Sequence, residues 1–147
     1  MSVGMLFDSD QVVANWLFAT YGQRRYSYDR CLGLLRDGML CGAVLFHNWN
    51  GANVEVSYYG KGTMTPGVLR CIATFTLNTF DPSRLTAHVP KRDKHYIKGL
   101  LRLGFRVEGA QRCYYGKKDC LRNSAIQLVA FREAIEQVAS LATPKSA

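Results

Sequence analysis

The chain has 147 residues and a formal net charge of +8, from 19 Lys and Arg against 11 Asp and Glu. This length fits one domain with a substantial core. Hydrophobic residues at 48% and charged residues at 20% exclude a globally disordered chain. The positive charge predicts an anionic partner, such as nucleic acid, a phosphorylated cofactor or an acidic protein surface.

The first elements are a helix and a strand meander. Ser9-Asp10 cap a helix that ends at Gly22. Three antiparallel strands follow in the segments Cys31–Arg36, Leu40–His47 and Val54–Tyr58. Asp37-Gly38 between the first two is typical of a tight hairpin turn. A strand before the helix is weak, at best Val3–Phe7.

The second half alternates helices and strands. Thr65-Pro66 is a strong helix start, and the strand Leu85–Val89 ends at Pro90. Asp93 caps the next helix, Gly104 stops it, and Phe105 begins another strand.

The last third is open to two interpretations. Ala125–Phe131 fits a buried strand or a helix start, and we favour a strand to about Val129 and a helix through Leu141. We expect one domain over residues 1–142 and a flexible tail over 143–147.

The five cysteines and three histidines indicate no metal site. The cysteines are odd in number and form no C-x-x-C pair, which favours free thiols in a reducing cytosol. His47, His88 and His95 have no obvious carboxylate or cysteine partner, so we expect neither a triad nor a metal centre. Without a signal peptide or a run of ~18 apolar residues, the chain is expected to be cytoplasmic, away from membranes.

The sequence L-G-F-R-V-E-G at Leu103–Gly109 closes a helix and opens a strand. It resembles the last block of the GNAT N-acetyltransferase superfamily, in particular the branch of ribosomal-protein N-terminal acetyltransferases. The hairpin pattern D-G-x-x-x-G-A-V-x-x-H-N at Asp37–Asn48 resembles short GNAT-like proteins of bacteriophage genomes. The resemblance implies a single α/β domain with a mixed, mostly antiparallel sheet, split after its fourth strand and flanked by helices.

The resemblance also implies acetyl-CoA as co-substrate. Its pyrophosphate would bind backbone amides of the loop before Pro66, at the positive end of a helix. The implied contacts are Val56, Ser57, Tyr58, Lys61, Gly62, Thr63, Thr65, Gly67, Arg92 and Asp93. The loop departs from the family pattern Q/R-x-x-G-x-G/A, and similar loops occur in proteins that bind no ligand.

The candidate catalytic residues are one carboxylate and the tyrosines. Glu55 lies where several GNAT enzymes keep a general base, although strand alternation could also turn it to solvent. The family usually has asparagine where Asp93 stands and a tyrosine acid where Leu100 stands. Tyr96, Tyr114 or Tyr115 could replace that acid, or could be packing residues.

The sequence is compatible with three alternative functions. The leading one is acetyl-CoA-dependent N-acetyltransfer to a primary amine by direct attack, with a small molecule or a protein as acceptor. The second is a catalytically silent GNAT-fold module, such as a phage structural or host-interaction protein. A basic nucleic-acid binder is third, because no nucleic-acid motif is present. The sequence is compatible with a homodimer.

Overall fold

The structure is a computed structural model that describes residues 3–22 and 27–141. Within these residues the strands are β1 (Val3–Leu6), β2 (Arg30–Arg36), β3 (Met39–His47), β4 (Asn53–Tyr59), β5 (Arg84–Pro90), β6 (Arg106–Gln111) and β7 (Ala125–Phe131). The helices are α1 (Asp10–Tyr21), α2 (Pro66–Phe80), α3 (Lys94–Arg102) and α4 (Arg132–Ala139), with a 3-10 turn at Leu121–Asn123.

The strands form one sheet in the order β1-β2-β3-β4-β5-β7-β6. Neighbouring strands are antiparallel except β4 and β5, which are parallel. The expected α/β domain with a mixed, mostly antiparallel sheet is therefore confirmed. The weak first strand does form, because β1 pairs with β2 from Val3–Arg36 to Leu6–Gly33.

The sheet opens between β4 and β5, as expected for a split after the fourth strand. The two strands pair from Asn53–Arg84 only as far as Val56–Ala87. Beyond this point β4 pairs with β3 alone, and β5 pairs with β7 alone. Pro90 can therefore be the last residue of β5, one position later than predicted, since proline is tolerated where a strand has an unpaired side.

A close backbone contact shapes the end of β4. A Cβ atom at Gly42 of β3 would lie 2.3 Å from the carbonyl oxygen of Tyr59 and 2.9 Å from Cα of Gly60. Only glycine permits this approach. The contact sets where the chain leaves β4 and turns towards α2.

Helices cover the two faces of the sheet unequally. α2 and α4 pack together over the larger core on one face, where Phe46, Val54 and Ile72 are buried. α1 covers β2 and β3 on the other face with Val13, Ala14, Leu17 and Phe18. On that second face, β4, β5 and β7 present the polar residues Glu55, His88 and Gln127. His88 contacts both Glu55 and Gln127.

The start of α1 differs from the prediction. Ser9 precedes the helix but makes no capping hydrogen bond with its side chain. Asp10 instead accepts from Nε of Arg30 at 2.8 Å and from the amide of Cys31 at 2.8 Å. These contacts tie the helix start to β2, a strand twenty residues further along the chain.

The ambiguous segment after residue 124 is a strand followed by a helix. β7 extends to Phe131, two residues beyond the prediction, because β5 pairs with it up to Arg84–Phe131. α4 then runs to Ala139, and the expected boundary at residues 142–143 lies outside the described residues. None of the described helices is long and apolar enough to cross a membrane.

Candidate active site

A cavity of about 1080 Å³ lies at the split between β4 and β5. β4 contributes Ser57, Tyr58 and Tyr59, and β5 contributes His88 to Pro90. The turn after β3, the start of α3 and the β6–β7 loop supply His47, Asn48, Arg92, Asp93, Tyr96, Tyr114, Tyr115, Lys118, Cys120, Arg122 and Asn123. The opening in the sheet is therefore a concave site that could hold a ligand.

Glu55 lies beside this cavity at a paired position of β4. Its Oε1 is 3.3 Å from Nδ1 of His88, and its Oε2 is 3.8 Å from Nδ1 of His47. Nδ2 of Asn48 donates a hydrogen bond to Oε2. Because only 16% of the Glu55 side chain is exposed, the alternative of a solvent-facing glutamate is wrong.

The expectation that the histidines lack a carboxylate partner is wrong for His47 and His88. His47 is the register partner of Glu55 on β3, and His88 follows by two residues the β5 partner of Glu55, Thr86. Since side chains alternate along a strand, all three point to the same face of the sheet. The pairing register, which is a non-local property, brings them together.

The two imidazoles connect the carboxylate to the cavity wall. Nε2 of His47 lies 3.2 Å from Oγ of Ser57, and burial lowers the pKa of His47 despite the opposing charge of Glu55. Nε2 of His88 lies 3.3 Å from Oε1 of Gln127. Glu55, His47 and His88 are called the carboxylate–histidine cluster below.

Three tyrosines surround the cavity. Tyr114 stacks on the His88 ring with centroids 4.7 Å apart and planes 16° apart, and meets Tyr115 edge-on. Tyr96 lies in the first turn of α3, 6.4 Å from the ring of Tyr58. Burial raises the pKa values of Tyr96, Tyr114 and Tyr115, which favours the protonated hydroxyl and makes each a weaker acid than an exposed tyrosine.

Leu100, where the resemblance to GNAT enzymes implies a tyrosine, is buried in a cluster with Ala87 and Leu128. It supplies packing and has no group that could transfer a proton. Any tyrosine acid in this site must therefore come from another position.

The loop from Gly60 to Thr65 joins β4 to α2 directly after the split. Oγ1 of Thr63 donates to the carbonyl of Gly60 at 2.7 Å and also bonds the hydroxyl of Tyr58. Thr63 is only 1% exposed, so its side chain shapes the loop, and the cofactor contact predicted for this residue would have to come from its backbone. Lys61 and Gly62 form the exposed turn.

The first turn of α2 presents unpaired amides. Oγ1 of Thr65 accepts from the amide of Val68 at 3.2 Å and so caps the helix. Among the described residues, no acceptor bonds the amides of Gly62, Met64 and Gly67. A Cβ atom at Gly67 would meet nothing within 4 Å. The loop and helix start thus have the open, amide-rich form that binds anions.

Arg92 and Asp93 line the cavity in the connection between β5 and α3. Oδ1 of Asp93 accepts from the amide of Tyr96 at 3.3 Å, which confirms Asp93 as the cap of this helix. Arg92 lines the cavity, and no carboxylate of the described residues lies within 4 Å of its guanidinium.

Comparison with solved structures identifies the same fold in acetyltransferases. A variant of the spermidine N-acetyltransferase SpeG from Vibrio cholerae matches with a TM-score of 0.72 at 8% identity, over 91% of this chain and 96% of that chain. The dodecameric form of that enzyme gives 0.70 at 9% identity, over 90% and 95%. The manganese complex of the same spermidine/spermine N-acetyltransferase gives 0.66 at 12%, over 92% and 95%.

Because the sequence identities are this low, the structural matches establish the fold alone. No protein-family model matches the sequence. A search of curated proteins also finds no match. The chain therefore has the GNAT fold expected from its sequence, and its activity has to be argued from the site.

Proposed function

We propose that this protein is an acetyl-CoA-dependent N-acetyltransferase that moves an acetyl group to a primary amine. The observation that carries the proposal is the carboxylate–histidine cluster beside the open split of the sheet. The chain leaves β4 past the end of its pairing with β5 and leads to the amide-rich start of α2, although residues 60–67 are not among those that line the cavity. The structural neighbours act on spermidine, an amine, which supports this reaction class. The narrower resemblance to phage-encoded and ribosomal-protein branches stays a prediction from the sequence.

The donor is expected to occupy the split. The amides of Gly62 and Gly67 would hold the pyrophosphate, because a helix N-terminus favours an anion. The edge of β4 at Ser57 and Tyr58, which no longer pairs with β5, offers amide groups that could polarise the thioester carbonyl. Arg92 lines the cavity and would meet a phosphate there.

The acceptor amine attacks the thioester carbon directly and needs no covalent enzyme intermediate. An amine is mostly protonated at neutral pH, so a base must remove its proton. Glu55 is our candidate base and acts through a water molecule or through His88, which lies between the carboxylate and the cavity. The C–S bond then breaks, and the hydroxyl of Tyr96 or Tyr114 can reprotonate the departing thiolate.

The test is acetyl transfer to a panel of primary amines, comparing the wild type with Glu55→Gln. This substitution keeps the hydrogen bond to Asn48 possible but removes the proton acceptor. We expect turnover to fall by roughly 10²–10⁴-fold with little change in acetyl-CoA affinity. Glu133→Gln is the matched control, because Glu133 is exposed on α4.

Two results would contradict parts of the proposal. An unaltered rate and pH profile in Glu55→Gln would remove this carboxylate from the mechanism. Tight acetyl-CoA binding without transfer to any amine would favour the catalytically silent module.

A further inference from the structure

We infer that the acceptor is a primary amine carrying an anionic group, either a carboxylate or a phosphate. This inference rests on the proposed function and concerns the acceptor side of the same site. The evidence is the loop of residues 112–124 between β6 and β7, which places two unpaired cations and two aromatic rings at the cavity.

The loop is held in shape by its own contacts. Arg112 and Asp119 form an ion pair across it. The carbonyl of Asn123 accepts from the amides of Tyr114 and Tyr115 at 2.8 and 3.1 Å, and Nδ2 of Asn123 donates to the carbonyl of Lys118 at 2.9 Å. The loop is therefore a built structure that positions its side chains.

The loop lies on the acceptor side of the split. Tyr114 stacks on His88, whose ring points to the same face as Glu55. The flanking residues Ala87 and Val89 point to the other face, where they pack with Leu100 of α3. An amine that lies beside His88 in the cavity would therefore also lie beside this loop.

The charges at this side of the cavity are predominantly positive. Lys118 and Arg122 line it, and no carboxylate of the described residues lies within 4 Å of either cation. Arg112 is neutralised by Asp119. Of the nearby acids, Asp93 caps α3, and Glu55 is enclosed by His88 and Asn48.

This arrangement suits a substrate with an amine at one end and an anion at the other. The amine would lie beside His88, within reach of Glu55 through that ring or a water molecule, while its anionic group meets Lys118 and Arg122. A polyamine would bring further positive charges towards these same cations, and like charges repel. The Tyr114 and Tyr115 rings add a surface for an apolar or aromatic substrate body.

The experiment compares acceptors that differ mainly in the anion. The carboxylate pair is phenylalanine and phenylalaninamide, and the phosphate pair is phosphoethanolamine and ethanolamine. Spermidine is the polycationic probe. Phenylalaninamide has the less basic amine and is intrinsically more reactive at neutral pH, so a preference for phenylalanine cannot arise from reactivity alone. The pair in which the anionic acceptor is preferred more strongly over its neutral partner shows whether the site recognises a carboxylate or a phosphate.

We expect kcat/KM to be about tenfold higher or more for at least one anionic acceptor than for its partner, because hydrogen bonds to charged groups contribute that much. In Lys118→Gln/Arg122→Gln, KM for that acceptor should rise about 10–100-fold. The KM for acetyl-CoA and kcat/KM for the neutral partner should not change. Lys117→Gln is the matched control, since Lys117 is an exposed lysine of the same loop outside the cavity lining.

Three outcomes overturn the inference. Equal or better use of the neutral amines or spermidine contradicts it directly. A rise in the KM for acetyl-CoA in the double variant would assign the two cations to donor phosphates. Acetyl-CoA binding without transfer to any amine would overturn the proposed function and, with it, this inference. The first two results leave the proposed function standing, so the two failures are distinguishable.

Discussion

His47 is a largely enclosed titratable residue, with 15% of its side chain exposed, and its protonation should affect stability. Its ring lies near Glu55, His88 and Asp29, and burial lowers its pKa below the ordinary value of 6.5 although the two acids oppose this. The folded state therefore takes up this proton less readily than the unfolded state. The contribution to stability is present above the unfolded pKa and is lost as the pH falls below it.

We predict that the free energy of unfolding, measured with urea, falls between pH 7 and pH 5, and that the protonation of His47 accounts for part of this decrease. In His47→Gln, which keeps a polar side chain near Ser57, the decrease should be smaller because this site no longer titrates. His95→Gln, at an exposed position of α3, is the control. An identical pH slope in wild type and His47→Gln would contradict the prediction.

Among the structural elements, the start of α2 gives the sharpest test of donor binding. Gly67 stands in its first turn, and added side-chain atoms there meet open space in the protein. We predict that Gly67→Leu folds normally but blocks the approach of the pyrophosphate, lowering acetyl-CoA affinity by about 1.4 kcal/mol or more, which is tenfold. Calorimetric titration measures it.

Gly99→Leu is the matched control for this substitution. Gly99 is also helical, in α3, and a Cβ atom there likewise meets nothing within 4 Å. Gly62 is less suitable because its φ of +73° strains any other residue. Unchanged affinity in Gly67→Leu would remove the α2 start from the donor site.

Elements with local signals could be predicted from the sequence. Asp37 and Gly38 both adopt positive φ in the predicted turn, and Thr65 caps α2 as expected. The buried face of α1 could not, because apolar residues occur around the whole helix: Val12 is 62% exposed, while Ala14 and Phe18 are buried. Contact with β2 and β3 decides between the possible faces.

The residues of the candidate site also divide into those that the sequence indicates and those that depend on tertiary contacts. Glu55 and the loop before Pro66 are assigned to the site by the resemblance to GNAT enzymes, and their roles stay predictions. The roles of His47 and His88 depend on the register of β3, β4 and β5, which single-strand patterns do not specify. Lys118 and Arg122 reach the cavity through a loop whose shape depends on Asn123. Loop contacts of this kind leave little periodic signal in a sequence.

At the scale of the whole molecule, the split leaves the two parts of the sheet weakly connected. Between β4 and β5 the ladder spans four residue pairs, from Asn53–Arg84 to Val56–Ala87. Beyond these pairs, the facing edges of β4 and β5 do not pair with each other. A donor held in the split would contact both parts, and it would bind the folded state alone.

We therefore predict that acetyl-CoA stabilises the protein and protects the split from hydrogen exchange. At 100 times Kd the stabilisation should be about 2.7 kcal/mol, or roughly 5–11 °C in Tm for a chain of this size. Exchange should slow at Ser57–Tyr59 and at the α2 start, while β1 and β2 serve as the internal control. Ligand binding also stabilises the whole fold. That stabilisation alone would slow exchange equally in the split and in β1 and β2, at every amide that exchanges only when the protein unfolds. Local protection that exceeds the change in β1 and β2 places the ligand in the split, whereas uniform protection would contradict that location.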